Sequence, residues 1–429
     1  MIKQLVFLII LIVTFVVFSW TMQRIIALFR LTRPAFPVKN LGKRVAVTLK
    51  VAIGQSKIFR WPFTGLLHAL VFWGFMVITI GSIEMVIDGL AGTERAMGIL
   101  GPFYDLIIGS GDVFAAIVLI SILVFLARRL FLSIGRFKGE EIRKISKIDA
   151  NIALSMIMLL MVSLLGMNIG YVALHNESMV GVYPVSQWMA GFVTSGMSPH
   201  GLHVFHEVNW WAHILLIFIF ANILPYSKHF HVFTSVPNVF LSRLEPLGYL
   251  PNMDNVMNEV KMMMNPEATT SEAPPITRFG VKDAEDVNWK NYFDSLACTE
   301  CGRCTAVCPA NITGKKLSPR KIFVDLRARM KEKGPGLIKN EKDYNDNKNL
   351  IRDYITEEEL WACTTCNACA QECPININHP TLIVDMRRYL VMEEAAAPAE
   401  LNMMFTNIEN NGAPWQRGPE ERLVWAETL

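Results

Sequence analysis

The sequence predicts an all-α fold in two unlike parts: a bundle of membrane-spanning helices, then a smaller, mainly helical domain. Three observations predict it. Long apolar runs crowd the first half of the chain, basic residues are confined to alternate loops between them, and all eight cysteines fall in the last third in two identical spacings. The averages conceal this division. Over 429 residues the chain is 52% hydrophobic and 18% charged, against roughly 45–50% and 25% for a soluble globular domain. The apolar excess excludes disorder as the main state. Eight cysteines over this length are too few for a disulfide-rich scaffold. A net charge of +3 gives no ground for a nucleic-acid partner.

Five runs approach the roughly 20 apolar residues needed to cross a bilayer: Leu5–Met22, Pro62–Ile83, Val113–Ala127, Ala150–Leu174 and Val208–Ser227. The first is not read as a signal peptide, because no small-residue cleavage site follows it and Arg24, Arg30 and Arg33 lie after the run rather than before it. The stretches Arg24–Arg60 and Arg128–Lys147 hold sixteen lysines and arginines, whereas Asp88–Asp112 and His175–Glu207 hold only Arg95. By the positive-inside rule the N-terminus is outside, five helices cross, and everything after the fifth is cytoplasmic. Trp20, Trp61, Trp188, Trp210 and Trp211 fall near the predicted helix ends, as interfacial anchors do.

The cysteines form two copies of one pattern. Cys298, Cys301, Cys304 and Cys308 precede Pro309; Cys363, Cys366, Cys369 and Cys373 precede Pro374. This is the C-x2-C-x2-C-x3-C-P run of proteins holding two [4Fe–4S] clusters, in which the fourth cysteine of each run serves the other cluster. The expected sets are Cys298, Cys301, Cys304 and Cys373 for one cluster and Cys363, Cys366, Cys369 and Cys308 for the other. Structural zinc uses pairs of C-x2-C rather than four cysteines in one short run, and disulfides are disfavoured in a cytoplasmic domain. Between the runs, Lys321–Lys333 and Glu357–Ala362 are expected to be helical, with Pro335–Gly336 marking a loop. The chain divides as residues 1–240, the membrane domain; 241–290, a linker along the membrane surface with a turn at Ala273–Pro275; 291–390, the di-cluster domain; and 391–429, a tail for partner binding. No GxGxxG, Walker, HExxH or GxSxG motif is present.

Ionisable side chains inside a bilayer are functional candidates. His213 and His231 are separated by 18 residues on the fifth run, five turns and about 27 Å along one helix face. Two ligands at two membrane depths suit two stacked haems. His229 is the alternative to His231, since Pro225 can kink the helix and alter its phase. His68, near the inner end of the second run, is expected to pair with His231 around one b-type haem. Ile78 stands ten residues later, where a second ligand would fall, so an outer haem would need His175, His200, His203 or His206. Polar helix–helix contacts are the plainer explanation for these histidines. Glu84 and Asp88 are candidates for proton handling, and His379 is expected to be structural.

The stretch from His213 through Ile214–Phe230 and His231 to Pro237 resembles the membrane haem subunit (gamma subunit) of respiratory nitrate reductase. That resemblance implies five helices, an outside N-terminus and stacked b haems, with His213, His231 and His68 matching ligands and Ile78 departing from the pattern. The cysteine runs, with Lys316–Phe323, Glu359–Pro374 and Met386–Val391, resemble the iron–sulfur subunits of the heterodisulfide reductase and glycolate oxidase type. The fusion resembles membrane iron–sulfur proteins of the electron-transfer flavoprotein:quinone oxidoreductase kind, in the prokaryotic cytoplasmic membrane. Those relatives continue into cysteine-rich CCG domains. The chain has no further cysteine after Cys373, so a separate CCG-domain iron–sulfur subunit is expected.

The expected function follows. The chain is a subunit of an oxidoreductase rather than a complete enzyme, passing electrons between a cytoplasmic flavoprotein or CCG partner and membrane quinone. It would use two [4Fe–4S] clusters and b-type haem. The alternatives are the membrane subunit of a quinol-oxidising disulfide- or sulfite-reducing complex, and a haem-free redox sensor or scaffold.

Overall fold

The computed structural model describes residues 1–139, 142, 144–176, 178–265, 278–340, 344–416 and 418–427. The turn expected at Ala273–Pro275 lies outside them. Five helices are long and apolar enough to cross a membrane: α1 (Ile2–Phe29), α3 (Pro62–Ala91), α4 (Pro102–Phe131), α5 (Lys144–Leu174) and α7 (Pro199–Ile223, extended by a 3-10 turn to Tyr226). Shorter α2 (Leu41–Thr48) and α6 (Pro184–Val193) lie between them. Four of the five run well past the apolar stretch that announced them. In α4 the added residues Tyr104, Ile108 and Asp112 are buried, so packing extends the helix beyond its most apolar part.

The spans form a closed ring: α1 packs on α3 and α7, α3 on α4, α4 on α5, and α5 on α7. The α5–α7 seam depends on two glycines one turn apart. A Cβ on Gly166 would stand 2.4 Å from Asn209, and one on Gly170 would stand 3.0 Å from His206. This small-xxx-small spacing lets two backbones approach within a bilayer. Trp210 is buried against Phe7 and Phe218.

The expectation that His213 and His231 lie on one continuous helix is not met. The helix ends at Ile223, two 3-10 turns follow (Leu224–Tyr226 and Lys228–Phe230), and α8 (His231–Phe240) starts afresh. Pro225, which has no N–H to continue the ladder, sits in the first turn. The 27 Å separation and shared face inferred from the sequence therefore do not apply.

After α9 (Asp254–Met264) the chain builds a helical domain from α10 (Trp289–Ala297), α11 (Arg303–Ala306), α12 (Pro309–Ile312), α13 (Pro319–Lys339), a kinked turn α14 (Leu350–Asp353), α15 (Glu357–Trp361), α16 (Ala368–Glu372) and α17 (His379–Met392). Helix α15 forms as expected, opened by a capping box between Thr356 and Glu359. The loop expected at Pro335–Gly336 is absent: α13 runs through both residues. Packing carries it, since Gly334 lies against Leu28 and Leu31 of the α1 end, and Leu337 is buried in the same core. Residues 278–290 pack into this domain too. Val281, Ala284 and Val287 are core residues, and Asp283 receives Arg329 and Lys333 in a buried ion network.

The two halves share a core. Leu28 and Leu31 from the end of α1, together with Phe230, belong to the same cluster as Leu326, Met330 and Cys373. Arg33 adds an ion pair to Asp286 at 2.6 Å. The tail forms α18 (Ala399–Asn411) and a final 3-10 turn, and leaves Trp415, Leu423 and Trp425 exposed.

Candidate electron-transfer site

The two cysteine loops adopt one backbone conformation. Glu300 and Gly302 flank Cys301 with φ of 58° and 74°; Thr365 and Asn367 flank Cys366 with 54° and 61°. Left-handed conformations are costly for non-glycine residues and are tolerated where the turn gains something. Here they turn main-chain N–H groups toward sulfur: Thr365 N–H donates to Cys363 Sγ at 3.4 Å, and the Glu300 N–H serves Cys298 in the same way. After each loop a short helix carries the third cysteine, and α11 packs against α16.

This packing brings together the cysteines that the spacing predicts. Cys304 lies within electrostatic reach of Cys301, Cys298 and Cys373, and also of Cys369 from the other set, and Cys373 within reach of Cys301 and Cys298. Cys369 lies within reach of Cys363, Cys308 and Cys366. A cavity is lined by Cys308, Cys363, Cys366 and Cys369, with Pro309 and Ile383 among its apolar walls. Burial pushes the Cys298 thiol up to about 11 and the Cys373 thiol up to about 12, with neighbouring thiols adding to the rise. Such thiols become thiolates only beside strong positive charge, which an iron cage would supply. Among the described residues no three His, Cys, Asp or Glu side chains converge on a single ion. A cubane instead asks each thiolate to hold its own iron at a corner of a larger cage.

The two thiol sets differ chiefly at one position. Cys366 is exposed where its counterpart Cys301 is half-buried, while Cys298, Cys304 and Cys373 of one set and Cys308 and Cys369 of the other are buried. The set with Cys366 is thus the more exposed and the other the more buried. The buried set faces the helical bundle. Lys57, just before α3, donates from Nζ to the carbonyl oxygens of Cys373 (3.1 Å) and Ala370 (3.5 Å). Arg303, between Cys301 and Cys304, donates to the Lys57 carbonyl at 2.9 Å and to Glu372 at 2.8 Å. Glu372 also accepts from Trp61 Nε1 at 3.1 Å. Burial alone would raise the Glu372 carboxyl, but the Arg303 guanidinium and Trp61 hold it below the usual range. On the second side, Glu300 binds Arg327 and Ser146, and Lys228 lies 4.0 Å from it.

His68 lies in α3 seven residues past Trp61, roughly 10 Å along the axis. It is within electrostatic reach of both Arg303 and His231. His68 Nδ1 is buried with no protein partner, and His231 Nδ1 stands 3.4 Å from the Lys228 carbonyl. His229 is engaged elsewhere: its Nδ1 meets Ser227 Oγ at 3.0 Å and Asp149 at 3.7 Å. A buried imidazole with a free ring nitrogen, as His68 has, is what a metal centre requires of a ligand.

His213 is separate from this pair. It is buried, with Nδ1 against the Leu160 carbonyl at 2.9 Å and Ser163 Oγ at 3.1 Å, while Nε2 has no partner. It lines a second cavity, far along the bundle from the cysteines, whose lining also includes Ile78 and Gly81 of α3. His206 is buried beside Tyr171, His175 meets Glu94 at 3.7 Å, and His200 and His203 are exposed. His379 is buried edge-on against Phe323. Glu84 accepts from Met97 N–H and Tyr104 Oη, both at 3.0 Å. Asp88 accepts from Thr93, Arg95 and Ala96. Both carboxylates thus tie down the loop after α3.

Fold and site define the class: an iron–sulfur electron-transfer protein with five helices able to cross a membrane. Residues 290–374 match the model of the 4Fe-4S dicluster domain. The chain is 31% identical over 408 residues to a probable iron-sulfur-binding oxidoreductase, FadF, of Bacillus subtilis, covering 87% of this chain and 54% of that protein. It is 28% identical over 414 residues to the EtfAB:quinone oxidoreductase of Syntrophomonas wolfei, covering 90% and 54%. It is 32% identical over 106 residues to one subunit of a ferredoxin/F420H2-dependent CoB-CoM heterodisulfide reductase of Methanosarcina acetivorans, covering 24% and 52%. The chain thus spans about half the length of these relatives. No solved structure matches it.

Proposed function

We propose that this chain is a cytoplasmic-membrane subunit that carries electrons between a cytoplasmic redox partner and the quinone pool, with its N-terminus outside. The observation that carries this reading is the order of the sites. The more exposed thiol set with Cys366, the more buried set with Cys373 and the His68–His231 pair would form a path from the surface into the bundle, with Lys57 bonded to Cys373 and to Arg303 through its carbonyl, and Arg303 within electrostatic reach of His68. Cys298, Cys301, Cys304 and Cys373 would hold one [4Fe–4S] cluster, Cys308, Cys363, Cys366 and Cys369 the second, and His68 and His231 a b-type haem. When bound, these groups supply one-electron redox chemistry at potentials that protein charge and hydrogen bonding adjust.

The residues act by holding and screening. Lys57, Arg303 and Arg327 place positive charge and N–H donors around the buried thiol set, which favours its more negative, reduced state. His68 Nδ1 is buried away from water. Cys366 and the exposed tail residues Trp415, Leu423 and Trp425 offer the surface on which a flavoprotein or a CCG-type iron–sulfur subunit would dock.

The similarity to a heterodisulfide reductase subunit favours a second reading, with electrons drawn from quinol toward a disulfide-reducing partner. One experiment separates the two. The complex is isolated from its native membrane, its chains are identified, and the haem band is followed after adding either reduced flavoprotein or quinol. Reduction by flavoprotein supports the first direction, and reduction by quinol alone the second. An optical spectrum without a b-type haem band would contradict both.

A further inference from the structure

We infer that the cavity at His213 is a binding site for the ring of a quinone, rather than the seat of a second haem. The inference rests on the quinone-linked function proposed above and gives that substrate a place. Four helices build the cavity: Ile78 and Gly81 come from α3, Asp112 from α4, Asn168 from α5 and His213 from α7, with Arg95 closing it from the loop after α3. It is partly open, and its polar groups are few and fixed.

Each polar group is positioned from behind. His213 Nδ1 is tied to the Leu160 carbonyl at 2.9 Å. That contact makes Nδ1 the protonated nitrogen and leaves Nε2 with a bare lone pair, buried and unpartnered, on a residue only 1% exposed. Arg95 donates to Asn168 Oδ1 at 3.2 Å, lies 3.8 Å from Glu84, and is stacked between Tyr171 and Tyr183. Asn168 donates to Asp112 at 3.2 Å, and Asp112 also accepts the N–H groups of Val185 and Ser186 at 2.8 and 2.9 Å. The one basic residue in the loops distal to the cysteines is therefore folded inward instead of facing solvent.

Two features favour a quinone. No other histidine lines the cavity with His213, so the bis-histidine arrangement proposed for the proximal site is not repeated. The lining is mostly apolar, with His213 and a hydrogen-bonded chain of Arg95, Asn168 and Asp112 among its polar residues. That suits a flat ring whose two oxygen atoms need hydrogen-bond partners, with Arg95 and Asn168 as donors and His213 Nε2 as the acceptor for a quinol hydroxyl. Convergent polar groups in an apolar cleft are the usual form of a small-molecule site.

The test uses the purified full-length protein in detergent and 2-heptyl-4-hydroxyquinoline N-oxide, a quinol analogue whose fluorescence is quenched on binding. Haem and iron per chain are measured in the same samples. The variants are His213→Gln and Gly81→Leu. A Cβ at Gly81 has ordinary room beside Ile108 at 3.9 Å, so leucine would project into the cavity without wedging the helices apart. The inference expects tight quenching by the wild type, at least a tenfold loss of affinity in both variants, and unchanged haem and iron. Loss of one haem equivalent in His213→Gln would overturn it in favour of a second haem. Wild-type affinity in both variants would place the quinone elsewhere while leaving the proposed function intact. No binding by the wild type would contradict the quinone-linked function itself.

Discussion

Lys57 Nζ donates a 3.1 Å hydrogen bond to the main-chain carbonyl of Cys373, joining the segment just before the second membrane helix to the last residue of the second cysteine run. The bond fixes the buried thiol set beside the segment that leads into α3, the helix that carries His68. It also places a cation next to that set in a setting where burial lowers the Lys57 ammonium below its usual range, with Cys373 acting to raise it. A charge there favours the reduced, more negative cluster. Lys57→Met is expected to retain both clusters and lower the potential of the buried one by about 60 mV, a tenfold change for a one-electron couple. A redox titration followed by electron paramagnetic resonance reads this directly, and an unshifted buried cluster would show that Lys57 is only a structural clamp.

Crossed ligation makes an unusual prediction for Cys308. It belongs to the first run in sequence but stands with Cys363, Cys366 and Cys369 in space. Cys308→Ser should cost the exposed cluster and spare the buried one, whereas Cys373→Ser should do the reverse. Iron content and the two spectroscopic signals together decide this. Loss of the buried signal in Cys308→Ser would mean that each run serves its own cluster.

The histidine assignment separates just as cleanly. His68→Ala is expected to abolish the proximal haem band with cluster signals intact. His229→Ala, which removes the contacts with Ser227 and Asp149 and the ring packing against His231, should keep the band. A band that survives His68→Ala unchanged would refute the proposed pair.

Stability of the iron–sulfur domain centres on Arg329, fully buried between Asp283 and Asp346. Arg329→Met leaves Asp283 buried with less than its full set of partners and is expected to cost about 3–5 kcal/mol, as breaking a buried pair does; denaturant unfolding checks it. The same network sets an acid limit. The hydrogen bond from Arg329 holds the Asp346 carboxyl at about 2, below the value near 3.9 of an unfolded aspartate. Its stabilising contribution is therefore present above about pH 4 and disappears as pH falls toward 2. Asp346→Asn should flatten the stability profile over that interval.

The cysteine spacing made the iron–sulfur domain legible, because thiol chemistry prescribes the pattern, and the apolar runs made the five spans legible, because a bilayer prescribes their length. What escaped was set by packing between distant residues. Pro335 continues a helix because Gly334 and Leu337 are held against the end of α1. The break after Ile223 was signalled by Pro225, yet only the structure shows that it ends the helix instead of bending it. The Gly166–Gly170 spacing was a readable mark of the α5–α7 seam. Arg95 counted as a lone exception in the charge tally, but its inward fold toward Glu84 and Asn168 was not written in local sequence.

The most direct test of the central claim is a combined count on the purified chain: iron, acid-labile sulfide and haem, with a reduced-minus-oxidised optical spectrum. The account predicts iron and sulfide for two cubanes and one b-type haem that His68→Ala removes. A preparation with both clusters and no b-type band would contradict it.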